Sequence, residues 1–170
     1  MFDGRHNGLK RGATMAATQN ALHQRANQFP ILTTKLFAPS VRPDTIQRPA
    51  LDARLSEGLA ARLIVISAPP GFGKTTAIVN WYNSIAPEGW RLGWISLDAG
   101  DNDPSRFLTY LIHGFKVLDQ GLGDSALSML QSNQRSDLRV PLTILLNDIQ
   151  QHPDRILLVL DDYHEIVEPE

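Results

Sequence analysis

The strongest constraint on the fold is a glycine-bearing loop that ends in Lys-Thr-Thr and reads Ala68-Pro69-Pro70-Gly71-Phe72-Gly73-Lys74-Thr75-Thr76. The loop follows an apolar run, Leu63–Ile66, and precedes a segment with the pattern of a helix. Strand, glycine loop, Lys-Thr and helix in this order cradle the phosphates of a nucleoside triphosphate. The flanking patterns therefore favour a P-loop over an ordinary glycine-rich turn, with the small residue Ala68 where the usual pattern begins with glycine.

Each residue type in the loop has a physical reason. Gly71 and Gly73 allow backbone angles that other residues avoid, so that successive N–H groups can turn toward phosphate oxygens. The helix that begins near Gly73 adds unpaired N–H groups and the positive end of its dipole. We predict that Lys74 places its charge at the β- and γ-phosphates, where it also serves catalysis, that Thr75 offers its hydroxyl to Mg²⁺, and that Thr76 reaches the α-phosphate.

A second motif supplies the acidic partner that a P-loop needs for its metal. The apolar run Ile156–Leu160 is typical of a strand buried on both faces of a parallel sheet, and Asp161 and Asp162 follow it. A carboxylate at this end of the strand emerges where ligands bind in open α/β sheets. We predict that Asp161 holds Mg²⁺ through its water shell and that Asp162 orients or activates the attacking water. Taken alone, the pair is equally compatible with a solvated strand end.

Composition limits the class of protein. The chain has 170 residues, of which 42% are apolar and 20% charged, which is ordinary for one globular domain with a proper core. The net charge of −2 argues against bulk binding to nucleic acid or anionic membranes by this segment. The absence of cysteine excludes a disulfide framework and thiol chemistry. No apolar stretch is long enough to span a bilayer, and the N-terminus lacks a secretory signal, so we predict a cytoplasmic protein.

The sequence divides into three regions. Residues 1–28 are polar and predict a disordered leader. Residues 29–61 predict an extended, proline-punctuated arm followed by a helix that starts at Pro49 and ends near Gly58. Residues 62–170 predict a nucleotide-binding core, so that 29–170 form an incomplete P-loop ATPase domain.

Strand and helix patterns alternate along this core. The predicted strands are Arg62–Ser67, Leu92–Leu97 and Ile156–Asp161. The predicted helices run from about Gly73 to Ile85, from Pro104 with Asp103 as its cap, over Ser125–Gln131 and over Leu138–Gln151. The acidic loop Asp98–Asp103 favours helix capping over a metal site. Together the patterns predict an α/β fold, a P-loop NTPase of AAA+/STAND type with a parallel sheet and flanking helices.

Several segments together resemble one family. They are Leu32-Thr33-Thr34-Lys35-Leu36, Arg48-Pro49-x-Leu51-x-x-Arg54-Leu55, the segment 67–76, Trp94-Ile95-Ser96-Leu97-Asp98, Asp101-Asn102-Asp103-Pro104-x-Arg106-Phe107 and Leu160-Asp161-Asp162-Tyr163-His164. The combination is similar to the N-terminal part of the ATPase domain of the large MalT-like LuxR-family transcriptional activators, which are STAND-class P-loop NTPases. A generic P-loop protein would match only the loop and the last motif.

The resemblance implies a regulatory switch. In that family, exchange of ADP for ATP favours self-association, and the assembly binds promoter DNA through a C-terminal helix-turn-helix and activates transcription. Slow ATP hydrolysis then resets the switch. The resemblance carries the phosphate, metal and catalytic roles onto residues 68–76, Asp161 and Asp162, and adds Arg48 as a residue that lines the nucleotide base.

The sequence departs from the family in length. The family's later strands, its superhelical sensor and its helix-turn-helix have no counterpart, so we expect a C-terminally truncated domain with Arg62–Ser67 as an exposed edge. Two other functions stay open. One is a stand-alone P-loop ATPase or phosphotransferase, and the other is a non-catalytic fragment.

Overall fold

The computed structural model of the chain describes residues 30–41, 45–132 and 137–167. Contacts divide the chain into two units, Met1–Ile31 and Leu32–Glu170. The helices and strands reported below all belong to the second unit. The leader predicted at residues 1–28 lies outside the described residues.

Two parallel strands form the sheet in the described part of the chain. Strand β1 spans Trp90–Ser96 and strand β2 spans Arg155–Asp161. The register places Trp90 opposite Arg155 and Ser96 opposite Asp161. Both strands therefore end at the same edge of the sheet, and Asp161 lies at that edge.

The prediction of a strand at Arg62–Ser67 is wrong. The sheet formed by the described residues contains β1 and β2 and does not include this segment. Leu63 and Val65 are 77% and 78% exposed, whereas Ile64 and Ile66 pack against helices. The helices cover one face of the segment only. Packing of one face of an apolar segment against helices does not require backbone pairing, so the apolar run alone does not establish a strand.

The predicted helices are all present, with bounds shifted by one or two residues. They are α1 Pro49–Gly58, α2 Lys74–Ile85, α3 Pro104–Lys116, α4 Asp124–Ser132 and α5 Arg139–Gln151. Short 3₁₀ turns cover Thr33–Leu36, Ala86–Glu88, Ala99–Asn102 and Tyr163–Glu165. Asp103 caps α3 as predicted, because its carboxylate accepts a hydrogen bond of 2.8 Å from the backbone N–H of Arg106. None of the helices in the described ranges is long and apolar enough to cross a membrane.

Helices pack on both faces of the sheet. On one face, Ile156 and Leu158 of β2 contact a cluster from α3, α4 and α5 that includes Ile112 and Leu145. On the other face, Leu157 packs against a cluster of Leu55 from α1 with Trp81 and Ile85 from α2, and Val159 packs against a cluster of Ile78 and Val79 from α2 with Trp94 from β1. This alternation is that of a strand covered on both sides. The α/β architecture, with a parallel sheet and flanking helices, is therefore confirmed.

Candidate functional site

The loop at residues 68–73 leads directly into α2. Gly71 and Gly73 have φ angles of 82° and 76°, in the left-handed region that favours glycine. Gly73 is the N-cap of α2 and offers no side-chain hydrogen bond to the first turn. Its carbonyl instead accepts the first helical bond, from the N–H of Ala77 at 2.9 Å. The first-turn N–H groups of α2 therefore lack a side-chain cap, which is the arrangement that binds anions at helix N-termini.

Lys74 lies over the loop that it follows. Its ammonium group donates hydrogen bonds to the carbonyls of Ala68 at 2.8 Å and Pro69 at 3.4 Å. The side chain is half-buried. One positive charge is therefore held against the loop, within one turn of the N-terminus of α2. A polyphosphate bound there would be attracted both by the Lys74 ammonium group and by the positive end of the helix dipole.

Thr75 joins the loop to the end of β2. Its hydroxyl lies 3.1 Å from Oδ2 and 3.3 Å from Oδ1 of Asp161, across 86 positions of sequence. Both side chains are half-buried. The two predicted metal residues therefore meet at one point. A hydroxyl and a carboxylate are hard oxygen ligands of the kind that Mg²⁺ prefers.

A magnesium ion would fit this pair. No group of three or more His, Cys, Asp or Glu side chains able to hold a metal occurs within the described ranges. Mg²⁺ keeps several waters and is usually bound by one or two carboxylates together with substrate phosphates, so it does not need such a group. Thr75 and Asp161 are the residues that would hold it.

Asp162 has an unusual backbone conformation. Its φ of 56° and ψ of 35° place a non-glycine residue in the left-handed region. Its N–H donates to Oδ1 of Asp161 at 3.1 Å, and its side chain is 55% exposed. Nδ1 of His164 lies 3.9 Å from Oδ1 of Asp162. The predicted water-orienting carboxylate is thus next to the predicted metal ligand and open to solvent.

The other predicted nucleotide-binding residues surround the loop. A Cβ built on Gly73 would lie 3.8 Å from Nη2 of Arg48, so the exposed Arg48 side chain reaches the loop from the start of α1. Thr76 is half-buried in the first turn of α2. Pro69, Pro70 and Phe72 are exposed, and Phe72 is 60% accessible. The structure therefore brings Arg48, the loop, Thr75 and Asp161 into one neighbourhood.

Sequence reasoning missed a buried charge cluster next to this edge of the sheet. Lys35 pairs with Asp101, whose side chain is fully buried, and also with Asp98 at 3.1 Å. Nε of Arg106 lies 3.1 Å from Oδ1 of Asp101. The ring of Tyr110 lies 4.3 Å beneath the Lys35 ammonium. The signal in the sequence was the acidic loop Asp98–Asp103, but its partner Lys35 lies more than 60 positions away.

The acidic loop Asp98–Asp103 also contains a cap that was not predicted from the sequence. Asp98 and Asp101 form a reciprocal capping box on the turn Ala99–Asn102. The hydrogen bond from Lys35 is the main reason that the pKa of Asp98 lies below its ordinary value of 3.8, with Gly100 and Arg106 adding to the effect against a desolvation penalty. Both acidic residues are thus engaged in capping and ion pairs.

Comparison with known proteins finds relatives of this chain. No family model matches the chain. The chain is 37% identical over 139 residues to the HTH-type transcriptional regulator MalT of Cronobacter sakazakii. It is 34% identical over 136 residues to the proteins of the same name in Yersinia pestis and Yersinia pseudotuberculosis. The chain is homologous to MalT transcriptional regulators.

The MalT homology covers most of this chain and little of the relatives. The alignments include 82% and 80% of the chain, but the chain spans only 15% of the length of each relative. The resemblance to MalT-like regulators that the motifs predicted is therefore confirmed. The names of the relatives state regulation of transcription and do not mention an ATPase domain.

Proposed function

We propose that the chain binds ATP and ADP with Mg²⁺ and forms the nucleotide-binding module of a MalT-type transcriptional regulator, with the fold of a P-loop NTPase. The observation that carries this proposal is the contact of 3.1 Å between the Thr75 hydroxyl and the Asp161 carboxylate. Two motifs chosen from sequence for one metal lie within hydrogen-bond distance of each other. In P-loop NTPases the Ser or Thr after the loop lysine and an Asp at the end of a later strand hold the same Mg²⁺.

The residues have distinct parts in this proposal. Backbone N–H groups of the loop and of the first turn of α2 bind the phosphate oxygens, and Lys74 exchanges its loop carbonyls for the β- and γ-phosphates. Thr75 and Asp161 hold Mg²⁺, which neutralises phosphate charge when bound. Asp162 orients the attacking water and accepts its proton. Arg48 lies against the nucleotide beside the loop.

The regulatory part of the proposal rests on the MalT homology. Exchange of ADP for ATP would change self-association of the whole regulator, and hydrolysis would be slow because it resets a switch. We assign DNA contact to a helix-turn-helix outside these residues, in keeping with the net charge of −2 of this chain. A cytoplasmic location remains a prediction.

Equilibrium binding of labelled ATP and ADP tests the proposal. We expect the wild-type chain to bind both nucleotides and Lys74→Ala to bind neither detectably, because the variant lacks the ammonium charge that attracts the phosphates. Lys116→Ala is the matched control, since Lys116 lies at the far end of α3, where it pairs with Asp124. An unaltered affinity in Lys74→Ala would refute the P-loop assignment. Turnover typical of an efficient enzyme would favour a stand-alone ATPase over a switch.

A further inference from the structure

Asn102 connects the loop after β1 to the segment that follows Asp162. Its Nδ2 donates to the carbonyl of Glu165 at 2.8 Å, and its Oδ1 accepts from the N–H of Val167 at 2.8 Å. These partners are 63 and 65 positions away in sequence. Nδ2 also donates to the carbonyl of Ala99 at 2.9 Å. All three contacts require this orientation of the amide, because two carbonyls face the nitrogen and one N–H faces the oxygen.

The turn that carries Asn102 is firmly held. Asn102 is the last residue of the 3₁₀ turn Ala99–Asn102, whose capping box is closed by Asp98 and Asp101. The fully buried Asp101 carboxylate is paired in turn with Lys35 and Arg106. Because this turn is held by several contacts, we expect Asn102 to fix the positions of Glu165 and Val167 rather than to adapt to them.

The segment held by Asn102 begins at a strained residue. Asp162 is the non-glycine residue with positive φ among those described, and the turn Tyr163–Glu165 follows it at once. The N–H of Glu165 donates to the carbonyl of Asp162 at 3.0 Å. A left-handed aspartate persists only where neighbouring contacts hold it in place. Asn102 supplies such contacts at the end of this turn, through its hydrogen bonds to Glu165 and Val167.

We propose that Asn102 is a positioning residue for Asp162. By fixing residues 165 and 167 it sets the direction of the turn, and hence the place of the carboxylate beside Asp161. The inference rests on the proposed function, because Asp162 matters to catalysis only if the site binds and hydrolyses ATP. Asn102 itself has no contact with Lys74, Thr75 or Asp161 in its set of hydrogen bonds.

Two measurements on the same variants test this inference. The first is hydrogen–deuterium exchange without nucleotide, which we expect Asn102→Ala to accelerate at residues 163–167 while the amides of α3 stay protected. The second is steady-state ATP hydrolysis, in which we expect kcat to fall about 10-fold with KM and ADP affinity changed by less than about twofold. Asn147→Ala, on the exposed side of α5, is the matched control and should leave both measurements unchanged.

A second variant separates hydrogen bonding from space filling. Asn102→Asp keeps the shape of the side chain but sets a carboxylate against the carbonyls of Ala99 and Glu165, so we expect it to lower kcat as much as Asn102→Ala does. The inference is overturned by unchanged kcat in both variants, by unchanged exchange at 163–167, or by equal acceleration in α3. A wild-type chain that binds no nucleotide instead defeats the proposed function, and with it the catalytic meaning of the contact.

Discussion

Lys35 and Asp101 hold opposite charges in a position that water barely reaches. Their side chains are 7% and 0% exposed. Asp101 also accepts hydrogen bonds from Nε of Arg106 at 3.1 Å and from the N–H of Asp98 at 2.9 Å, so its carboxylate is well satisfied. A buried pair of this kind adds little stability over an apolar pair, but removal of one partner leaves a desolvated charge. At the residue scale this cluster is therefore a sensitive point of the fold.

We predict that Lys35→Met lowers the free energy of unfolding by about 3 kcal/mol, because Asp101 loses one of its two cationic partners. Chemical denaturation measures this. The control Arg139→Met removes a cation that is 90% exposed and should change the free energy of unfolding by less than about 0.5 kcal/mol. Equal, small changes in the two variants would show that the Lys35 pair does not stabilise the fold.

The lowered pKa of Asp98 predicts a dependence of stability on pH. The Lys35 hydrogen bond favours the charged form in the folded state, so the folded pKa lies below the ordinary 3.8 of the unfolded chain. The stability from this carboxylate is complete above pH 3.8 and is lost as the pH falls through the lowered pKa. Denaturation curves at a series of acidic pH values should therefore be less pH-dependent for Asp98→Asn than for the wild type. Identical slopes would contradict this assignment.

Close approach of α3 to β1 depends on two facing glycines. A Cβ on Gly93 of β1 would lie 3.0 Å from Leu158 and 3.3 Å from the carbonyl oxygen of Gly114 on α3. A Cβ on Gly114 would in turn lie 3.0 Å from the side chain of Ile95. The backbone oxygen cannot move aside as a side chain can, so at the element scale the distance between helix and strand is set by the missing methyl groups.

We predict that Gly93→Ala lowers the free energy of unfolding by about 1–3 kcal/mol, since the methyl group forces α3 away from the sheet. Thermal or chemical denaturation provides the measurement. Gly121→Ala serves as control, because its Cβ would meet only Asp119 at an ordinary 3.4 Å. If the two variants unfold alike, the contact between α3 and β1 is looser than these distances indicate.

At the scale of the whole molecule, an apolar stripe lies exposed in the segment before the loop at residues 68–73. Leu63 and Val65 are 77% and 78% exposed, next to Ile64 and Ile66, which pack inward. We predict that the wild-type chain self-associates as its concentration rises and that Leu63→Lys combined with Val65→Lys reduces this association, because exposed apolar patches promote it. The free energy of unfolding should hardly change. Light scattering over a concentration series gives the answer, and unaltered association would rule this surface out as the cause.

Local signals in the sequence predicted most elements of the fold. Pro49, Gly58 and the Asp103-Pro104 pair mark helix ends through their own backbone chemistry, so α1 and α3 were predictable without knowledge of their neighbours. The apolar runs at β1 and β2 likewise predicted a parallel sheet with helices on both faces. Thr75 meets Asp161 as predicted from the oxygen ligands that one metal ion needs, although the segment before the loop is not one of the two sheet strands among the described residues.

The long-range partners of Lys35 and Asn102 were not predictable from the sequence. The contacts of Lys35 with Asp101, and of Asn102 with Glu165 and Val167, join residues 63 to 66 positions apart. Nothing in the local pattern of charge or amide residues selects one partner over another at that distance. The wrong strand at Arg62–Ser67 has the same origin, because backbone pairing depends on where other strands lie.

In the proposed function, the loop at residues 68–76 and Asp161 hold one magnesium nucleotide between them. Titration calorimetry of ATP with Mg²⁺ and of ADP without it, on the wild type and Asp161→Asn, tests this most directly. We predict that Asp161→Asn weakens binding of ATP with Mg²⁺ and leaves binding of ADP without the metal nearly unchanged, because the carboxylate acts through the ion. Equal losses for both ligands would contradict the claim.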